Sequence, residues 1–342
     1  ITKDSQSNTD RAGNLAAQLI HKDEVDLLLV QDSLSSITAA DQGELNGVPT
    51  ISTMMPWQAW MFPRKGDPAV GFEWSYHFFW GLEDVIGAYK EIWTSVETNK
   101  KVGGIYSADP GGEAFGSPDF GIPAALKTMG FGYVGTGKFQ EGSSDFSPQI
   151  AKFKTEGVDI IAGHAHVPDF TTFWAQAAQQ KLEPKVVTIA AALLFPSGLE
   201  TQGDRGDGLT TEVWWTPNFP YKSTLTNQSA ADLSAQYENE TGKQWTQPLG
   251  YAHAIWEIGV EALKRAGDPH NREAVRDVLK TMKMTTIVGH INWADTPIKN
   301  VAKTKVVGGQ WRLGGKHKYQ LLITNNESAP NIPVQAEVKL MN

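Results

Sequence analysis

The opening of the chain decides the fold, above all residues 25–52, VDLLLVQDSLSSITAADQGELNGVPTIS. The sequence predicts an amphipathic helix over residues 10–20, followed by an apolar strand over 25–30 that ends in a hydroxyl-rich turn. A second helix over 38–45 leads into another short strand, 47–52. Continuous apolar strands that alternate with amphipathic helices indicate a parallel sheet covered on both faces.

The polar ends of these two strands are the first candidate functional positions. In a parallel α/β sheet, ligands bind beyond the carboxyl ends of the strands, where helix N-termini expose unpaired N–H groups. Ser33 and Thr53 stand at two such ends. The pattern therefore predicts binding of a small molecule.

Composition and motifs narrow the class of protein. The chain has 342 residues, enough for two domains, and its net charge of −8 without a basic run argues against a nucleic-acid partner. The longest apolar run, 189–195, cannot span a bilayer, which needs about 20 residues. The absence of cysteine excludes disulfides and thiol catalysis. Without a Gly-x-Ser-x-Gly elbow or a phosphate-loop lysine, we expect a binding protein rather than an enzyme, with a hydrolase as the weaker alternative.

A second series of alternating strands and helices follows the first. Helix 84–96 closes the first series, and the second has predicted strands over 101–106, 132–134, 158–163 and 185–189. Further helices are predicted over 230–241, 248–266 and 272–282, before several short strands. No long linker separates the two series, so short crossings that form a hinge are expected.

An ordered set of short motifs resembles the type I periplasmic substrate-binding proteins of ABC transporters, and within them the branched-chain amino acid-binding type. The motifs are 108–112 (ADPGG), 145–147 (DFS), 158–163 (VDIIAG), 168–170 (PDF), and 285–289 (TTIVG) followed by 291–293 (INW). The resemblance covers essentially the whole chain.

The resemblance implies an α/β fold of two Rossmann-like lobes with parallel sheets, joined by a three-strand hinge. Lobe 1 would comprise residues 1–98 and 218–302, lobe 2 residues 99–217 and 303–342, with the ligand cleft between them. The resemblance also implies a first strand and helix of lobe 1 that would precede Ile1 and are missing from the chain.

The family further implies partners and a location. Such a protein delivers a small-molecule ligand to the membrane permease of an ABC importer by hinge closure, as a monomer with no cofactor and no metal. It works in the periplasm, or lipid-anchored outside a Gram-positive cell, after a signal peptide that is not in this chain. The alternative is a ligand-sensing domain of a receptor or regulator with the same fold.

In lobe 1, family positions and local physics point to three ligand-binding residues. Ser33 matches the hydroxyl that grips a ligand carboxylate, although a serine here can instead serve only to cap the helix. Thr53 and Trp57 are the second candidates, because Pro56 replaces a hydroxyl residue of amino-acid binders and offers no N–H. Trp57 and Trp60 lie in a Pro-bounded loop, so we expect both to be exposed, with Trp57 as a wall of the ligand site.

In lobe 2, the family places Tyr106 and Asp109 at a strand end that faces the ligand. His166 matches a ligand-facing aromatic position and is expected to donate a hydrogen bond. The pair His164 and His166 also permits a metal site, but Asp169 is then the only evident third ligand, so hydrogen bonding is favoured. Aromatic residues complete the predicted set. Tyr76 or Trp80 is expected to reach the ligand from the aromatic cluster 74–80. Of Trp214 and Trp215, one should face the ligand, and we take Trp215; Tyr251 is the last candidate.

The segment after strand 185–189 bears on the type of ligand. Amino-acid binders of the family hold the ammonium group with an acidic residue there, whereas residues 190–194 are AAALL. An ammonium group desolvated without a counter-charge costs several kcal/mol. Either Asp109, Glu113 or Asp169 substitutes, or the ligand is an apolar or aromatic carboxylate and not an α-amino acid.

Overall fold

The computed structural model describes residues 1–341, which fold into two compact α/β units. The first unit contains residues 1–81 and 215–305, and the second contains residues 82–214 and the chain from 306 onward. The chain therefore passes between the units three times, after residues 81, 214 and 305.

The α-helices, in chain order, are α1 Thr9–His21, α2 Ser33–Asn46, α3 Trp57–Met61, α4 Leu82–Thr94, α5 Pro110–Phe115, α6 Ile122–Met129, α7 Ser147–Glu156, α8 Val167–Gln179, α9 Pro196–Glu200, α10 Ala230–Thr241, α11 Pro248–Arg265 and α12 Arg272–Thr281. The strands are β1 Leu28–Val30, β2 Thr50–Thr53, β3 Ser75–Phe78, β4 Lys101–Ser107, β5 Gly132–Phe139, β6 Ile160–Ala165, β7 Val186–Ala191, β8 Thr210–Val213, β9 Lys283–Thr286, β10 Gly289–Asn292, β11 Val301–Ala302, β12 Val307–Leu313 and β13 Tyr319–Asn325. Within residues 1–341, no helix combines the length and apolar character needed to cross a membrane.

The first unit is built on a four-stranded sheet in the order β1-β2-β3-β11, and all of its neighbouring strands are parallel. Apolar residues of α1, α2, β1 and the loop after α2 pack together, among them Ile20, Leu28 and Val48. Strands β9 and β10 form a separate antiparallel hairpin. The parallel sheet predicted from residues 25–52 is confirmed.

The second unit has a seven-stranded sheet in the order β13-β12-β8-β7-β6-β4-β5. The five strands from β8 to β5 are parallel, and β12 pairs antiparallel with both β8 and β13. Strand β6 is buried along its whole length, as expected for a parallel strand covered on both faces. Gly163 in β6 is a position of close approach, because a Cβ atom there would lie 1.7 Å from the Ile105 carbonyl oxygen.

Helix α4 packs on strands of the second unit. Tyr89 donates a hydrogen bond to the buried Glu212 carboxylate at 2.5 Å, and the Trp93 indole N–H donates to Thr188 at 2.9 Å. The sequence places this helix in lobe 1, with the boundary after residue 98, whereas its contacts lie with the second unit.

Trp60 departs from the sequence prediction of an exposed loop tryptophan. Its side chain is fully buried in α3 and stacks on His77, with ring centroids 4.9 Å apart. The predicted exposure of Trp60 was wrong because the segment after Pro56 forms a short helix whose inner face packs with Met61 and Val301.

Candidate functional site

The N-terminus of α2 lies at the carboxyl end of β1 and offers free hydrogen-bond donors. Asp32 caps the helix by accepting the Ser35 N–H at 2.9 Å. Within residues 1–341, the N–H groups of Ser33 and Leu34 and the Ser33 hydroxyl have no acceptor. Ser33 is half-buried, so these donors are open to an anion, which the partial positive charge of a helix N-terminus favours.

Thr53 is the last residue of the neighbouring strand β2, and Trp57 is the first residue of α3. The buried Thr53 hydroxyl donates to the Phe78 carbonyl at 2.7 Å, so it is engaged in the sheet. Trp57 is half-buried at the start of α3, and its backbone N–H donates to the Trp80 carbonyl at 3.1 Å. Its ring packs edge-on against Phe62.

Three further predicted ligand contacts are core residues of the first unit. Tyr76, Trp215 and Tyr251 are at most 2% exposed. Their polar atoms have partners in the same unit: the Tyr76 hydroxyl donates to the Arg276 carbonyl (3.3 Å), the Trp215 indole to the Ile287 carbonyl (3.2 Å), and the Tyr251 hydroxyl bonds with Thr304 (2.7 Å). The structure thus gives each of them a packing role within the unit.

In the second unit, three adjacent parallel strands bring chemically active side chains to one edge of the sheet. Strands β5, β4 and β6 are neighbours, and Glu141, Asp109 and His166 follow their respective carboxyl ends. The distance from His166 Nε2 is 3.3 Å to Asp109 Oδ2 and 3.8 Å to Glu141 Oε1. We call these three residues, with Ser107 and His164, the histidine–carboxylate cluster.

Asp109 is the centre of the histidine–carboxylate cluster. Its Oδ1 atom caps α5 by accepting the Gly112 N–H at 2.8 Å and lies 3.7 Å from His164 Nδ1. Burial raises the pKa of Asp109, but hydrogen bonds from Ser107 and Gly112 and the two imidazoles outweigh it, so the pKa lies below its usual value. The carboxyl group is therefore ionised at neutral pH.

His164 is the buried histidine of the histidine–carboxylate cluster. It is 8% exposed, stacks on Phe115, and its Nδ1 lies 3.0 Å from the Ser107 hydroxyl. Burial lowers the pKa of His164 to about 4, against a smaller opposing effect of Asp109. His164 is consequently a neutral hydrogen-bonding group at neutral pH.

Tyr106 lies in β4 just before the histidine–carboxylate cluster. Its ring is 3% exposed, and its hydroxyl interacts with Tyr133 of β5. Burial raises the pKa of the Tyr106 phenol well above its usual value, so the group stays protonated. Tyr106 therefore places a neutral hydroxyl group near the carboxyl end of β4.

The residues that follow β7 carry no charge. Ala190, Ala192 and Leu193 are at most 2% exposed, whereas Ala191 and Leu194 are half-buried, so this strand end presents apolar side chains. Of the possible substitutes for a family carboxylate, Glu113 forms an ion pair with Lys138, and the buried Asp169 accepts the Gly142 N–H at 2.8 Å. The Oδ2 atom of Asp109 lies 3.3 Å from His166 Nε2.

Sequence reasoning found Asp109, His164 and His166 but missed Ser107 and Glu141. Glu141 is separated from His166 by 25 positions and lies in a loop without a motif, so no spacing pattern signals it. Only the strand order β6-β4-β5 places the loop beside Asp109. Ser107 could have been found, because it directly follows the predicted strand 101–106 and stands two residues before Asp109.

The chain has two α/β units assembled from discontinuous segments, and in each unit parallel strands carry polar groups at their carboxyl ends. This arrangement is typical of two-lobed solute-binding proteins. The family model described as "Periplasmic binding protein" matches residues 1–316, and the chain belongs to that family.

Solved structures with the same fold include ABC transporter proteins from several bacteria. A leucine-binding protein, LivK, of Thermotoga maritima is 20% identical with a TM-score of 0.71, over 95% of this chain and 87% of that one. A branched-chain amino acid ABC transporter periplasmic ligand-binding protein of Burkholderia xenovorans is 16% identical, TM-score 0.76, over 97% and 85%. A solute-binding protein of Rhodopseudomonas palustris, in complex with 3,4-dihydroxybenzoic acid, is 18% identical, TM-score 0.70, over 96% and 87%. At these identities the similarity shows the fold, and the predicted type I fold is confirmed.

Proposed function

We propose that this protein is the extracytoplasmic solute-binding component of an ABC importer, and that its solute is a small apolar or aromatic carboxylate. Membership of the periplasmic binding protein family supports the role and implies a membrane permease as partner. Proteins of this fold include one named for leucine and one bound to 3,4-dihydroxybenzoic acid, so both ligand classes are compatible with it.

The observation that carries the proposed ligand class is the apolar strand end after β7. Residues 190–194 place only alanine and leucine where amino-acid binders of the family place an acidic residue, and Ala192 and Leu193 are buried. An ammonium group next to this segment would lose its hydration without gaining a counter-charge, at a cost of several kcal/mol. An acid without an ammonium group avoids that cost.

The N-terminus of α2 supports the carboxylate half of the proposal. The free N–H groups of Ser33 and Leu34 and the Ser33 hydroxyl are three donors at a helix N-terminus, which suits an anionic oxygen. A carboxylate bound there would be the part of the solute that the protein recognises by charge.

Calorimetric titration of ligand-stripped protein tests the proposed ligand class. Leucine, phenylalanine, benzoate and phenylpropanoate are titrated under identical conditions. Phenylpropanoate is phenylalanine without the ammonium group, so this pair isolates the effect of that group. We expect heat of binding from the aromatic acids and little or none from the amino acids. Tight binding of leucine with no response to the aromatic acids would overturn the proposed ligand class.

A further inference from the structure

The histidine–carboxylate cluster has the donor set of a metal site. We propose that Asp109, Glu141 and His166 bind one divalent transition-metal ion, with Zn²⁺ as the best-matched example. This inference concerns the second unit alone and does not depend on the proposed solute. It revises the expectation from the sequence that the protein binds no metal. That expectation rested on the lack of a convincing third ligand beside His164 and His166.

The distances between the donor atoms fit a single ion. Asp109 Oδ2 and Glu141 Oε1 lie 3.3 Å and 3.8 Å from His166 Nε2, and all three atoms lie within 4.8 Å of one another. Zinc–nitrogen and zinc–oxygen bonds of about 2.0–2.1 Å give a tetrahedral edge of about 3.3 Å. The Asp109–His166 pair already has this separation, and the exposed Glu141 side chain can close the remaining gap.

An independent observation is the unsatisfied second oxygen of Asp109. The Asp109 side chain is only 11% exposed, and its Oδ2 atom is inaccessible to water and accepts no hydrogen bond from residues 1–341. A buried carboxylate oxygen without a donor is costly. The Oδ1 atom is held by Gly112, so Oδ2 is fixed in its direction toward His166, and a cation between the two would satisfy it.

The surroundings of the three ligands resemble the outer shell of a metal site. His164 lies 3.7 Å from the Asp109 carboxylate and is itself held by Ser107. Such partners orient the ligands of a metal and tune their basicity. His164 is therefore assigned a positioning role and is not a ligand.

The chemistry of the donors selects the type of ion. An imidazole nitrogen with two carboxylates suits zinc and similar transition metals, whereas Ca²⁺ takes six to eight oxygen ligands and Mg²⁺ prefers near-octahedral oxygens. Three protein ligands leave a fourth position for water or another small molecule.

Calorimetric titration of chelator-treated protein with Zn²⁺, Co²⁺ and Mg²⁺, in the absence of any solute, tests the metal site. We expect one Zn²⁺ per chain, a visible absorption band of tetrahedral Co²⁺, and no response to Mg²⁺. Because His166 and Glu141 are exposed, H166A and E141Q should stay folded, which circular dichroism verifies, and should weaken Zn²⁺ binding at least about tenfold.

Two control variants carry matched groups outside the three ligands. E113Q removes a nearby acid that pairs with Lys138, and H270Q removes an exposed histidine that pairs with Asp26. Both should bind Zn²⁺ like the original chain. Absence of Zn²⁺ binding at sub-millimolar concentrations, or equal affinity in H166A, E141Q and the controls, would overturn the metal site. Either result leaves the proposed solute class untouched.

Discussion

Ser33 offers the simplest test of how the first unit would hold an anion. Its hydroxyl has no partner within residues 1–341, so Ser33→Ala removes a donor from a ligand and nothing from the fold. We expect carboxylate binding to weaken by about 1–3 kcal/mol in calorimetry, with an almost unchanged melting temperature. Ser35→Ala, in the same helical turn but with a buried hydroxyl, is the matched control and should bind normally. An equal loss for the amide analogue of the ligand would show that Ser33 does not recognise the carboxylate.

Glu257 is a buried carboxylate that joins three parts of the first unit. It accepts hydrogen bonds from the Thr224 N–H at 2.6 Å, the Thr224 hydroxyl at 2.9 Å and the Ile287 N–H at 2.9 Å. Glu257→Ala leaves these donors without an acceptor, so we expect a loss of about 2–4 kcal/mol in urea unfolding. Glu261→Ala, one turn later and paired only with Arg265, should cost about 0.5 kcal/mol or less. Similar losses for the two variants would contradict this role of Glu257.

His77 predicts a loss of stability in acid. Burial lowers the pKa of His77 to about 3, with the nearby Arg64 adding to the effect and a hydrogen bond to Met55 opposing it. In the unfolded chain the histidine takes up a proton below its ordinary pKa of about 6.5, and in the fold it does not. Stability is therefore lost as pH falls from about 6.5 toward 3, by about 2 kcal/mol at pH 5.

Urea unfolding near pH 7.5 and near pH 5 checks the prediction for His77. His77→Gln removes the ionisable group, so its loss between the two pH values should be smaller than that of the original chain. His270→Gln is the control: this exposed histidine has its pKa raised by Asp26, so its removal should not reduce the loss in acid. An unchanged pH dependence in His77→Gln would mean that His77 does not titrate between the two states.

At the N-terminus of α2, capping and the proposed anion binding would use the same helix end. The helix begins at Ser33, five residues before the predicted start, because Asp32 caps it and the apolar period alone does not reveal the first turn. The Asp32 charge lies next to the free N–H groups and opposes a bound anion. Asp32→Asn keeps a capping oxygen and removes the charge, so carboxylate affinity should rise in calorimetry at nearly constant stability. Asp32→Ala removes the capping oxygen and should instead lower the free energy of unfolding by about 1 kcal/mol. A lower carboxylate affinity in Asp32→Asn would argue against anion binding at this helix end.

The sequence predicts best the elements whose signals are local. Helix α10 was predicted over residues 230–241 and has these bounds, since Ser229 forms a capping box with Asp232 and Gly242 ends the helix. Strand β3 escaped prediction although residues 75–78, SYHF, alternate polar and aromatic side chains, because they lie within the aromatic-rich run 74–80, which was interpreted as a cluster of core residues. The candidate site divides in the same way. Asp109 and His166 follow predicted strands, whereas Glu141 joins them only through the order of the strands.

In each of the two units, the candidate binding groups lie at strand ends and do not form a sequence motif. Each unit is built from discontinuous segments around a set of parallel strands, and its candidate binding groups lie at the carboxyl ends of those strands. The first unit offers N–H and hydroxyl donors at the start of α2, and the second offers the histidine–carboxylate cluster and an apolar strand end.

The proposed solute class predicts how the melting temperature of the protein responds to different ligands. A ligand that binds only the folded chain, present at about 100 times its Kd, stabilises it by about 2.7 kcal/mol. For a chain of this size that raises the melting temperature by roughly 4 °C, and we expect the shift with benzoate or phenylpropanoate but not with leucine. Mass spectrometry of the recovered solute completes the measurement. Because a solute-binding protein returns its ligand unchanged, a stabilising compound that comes back chemically altered would favour the hydrolase alternative over transport.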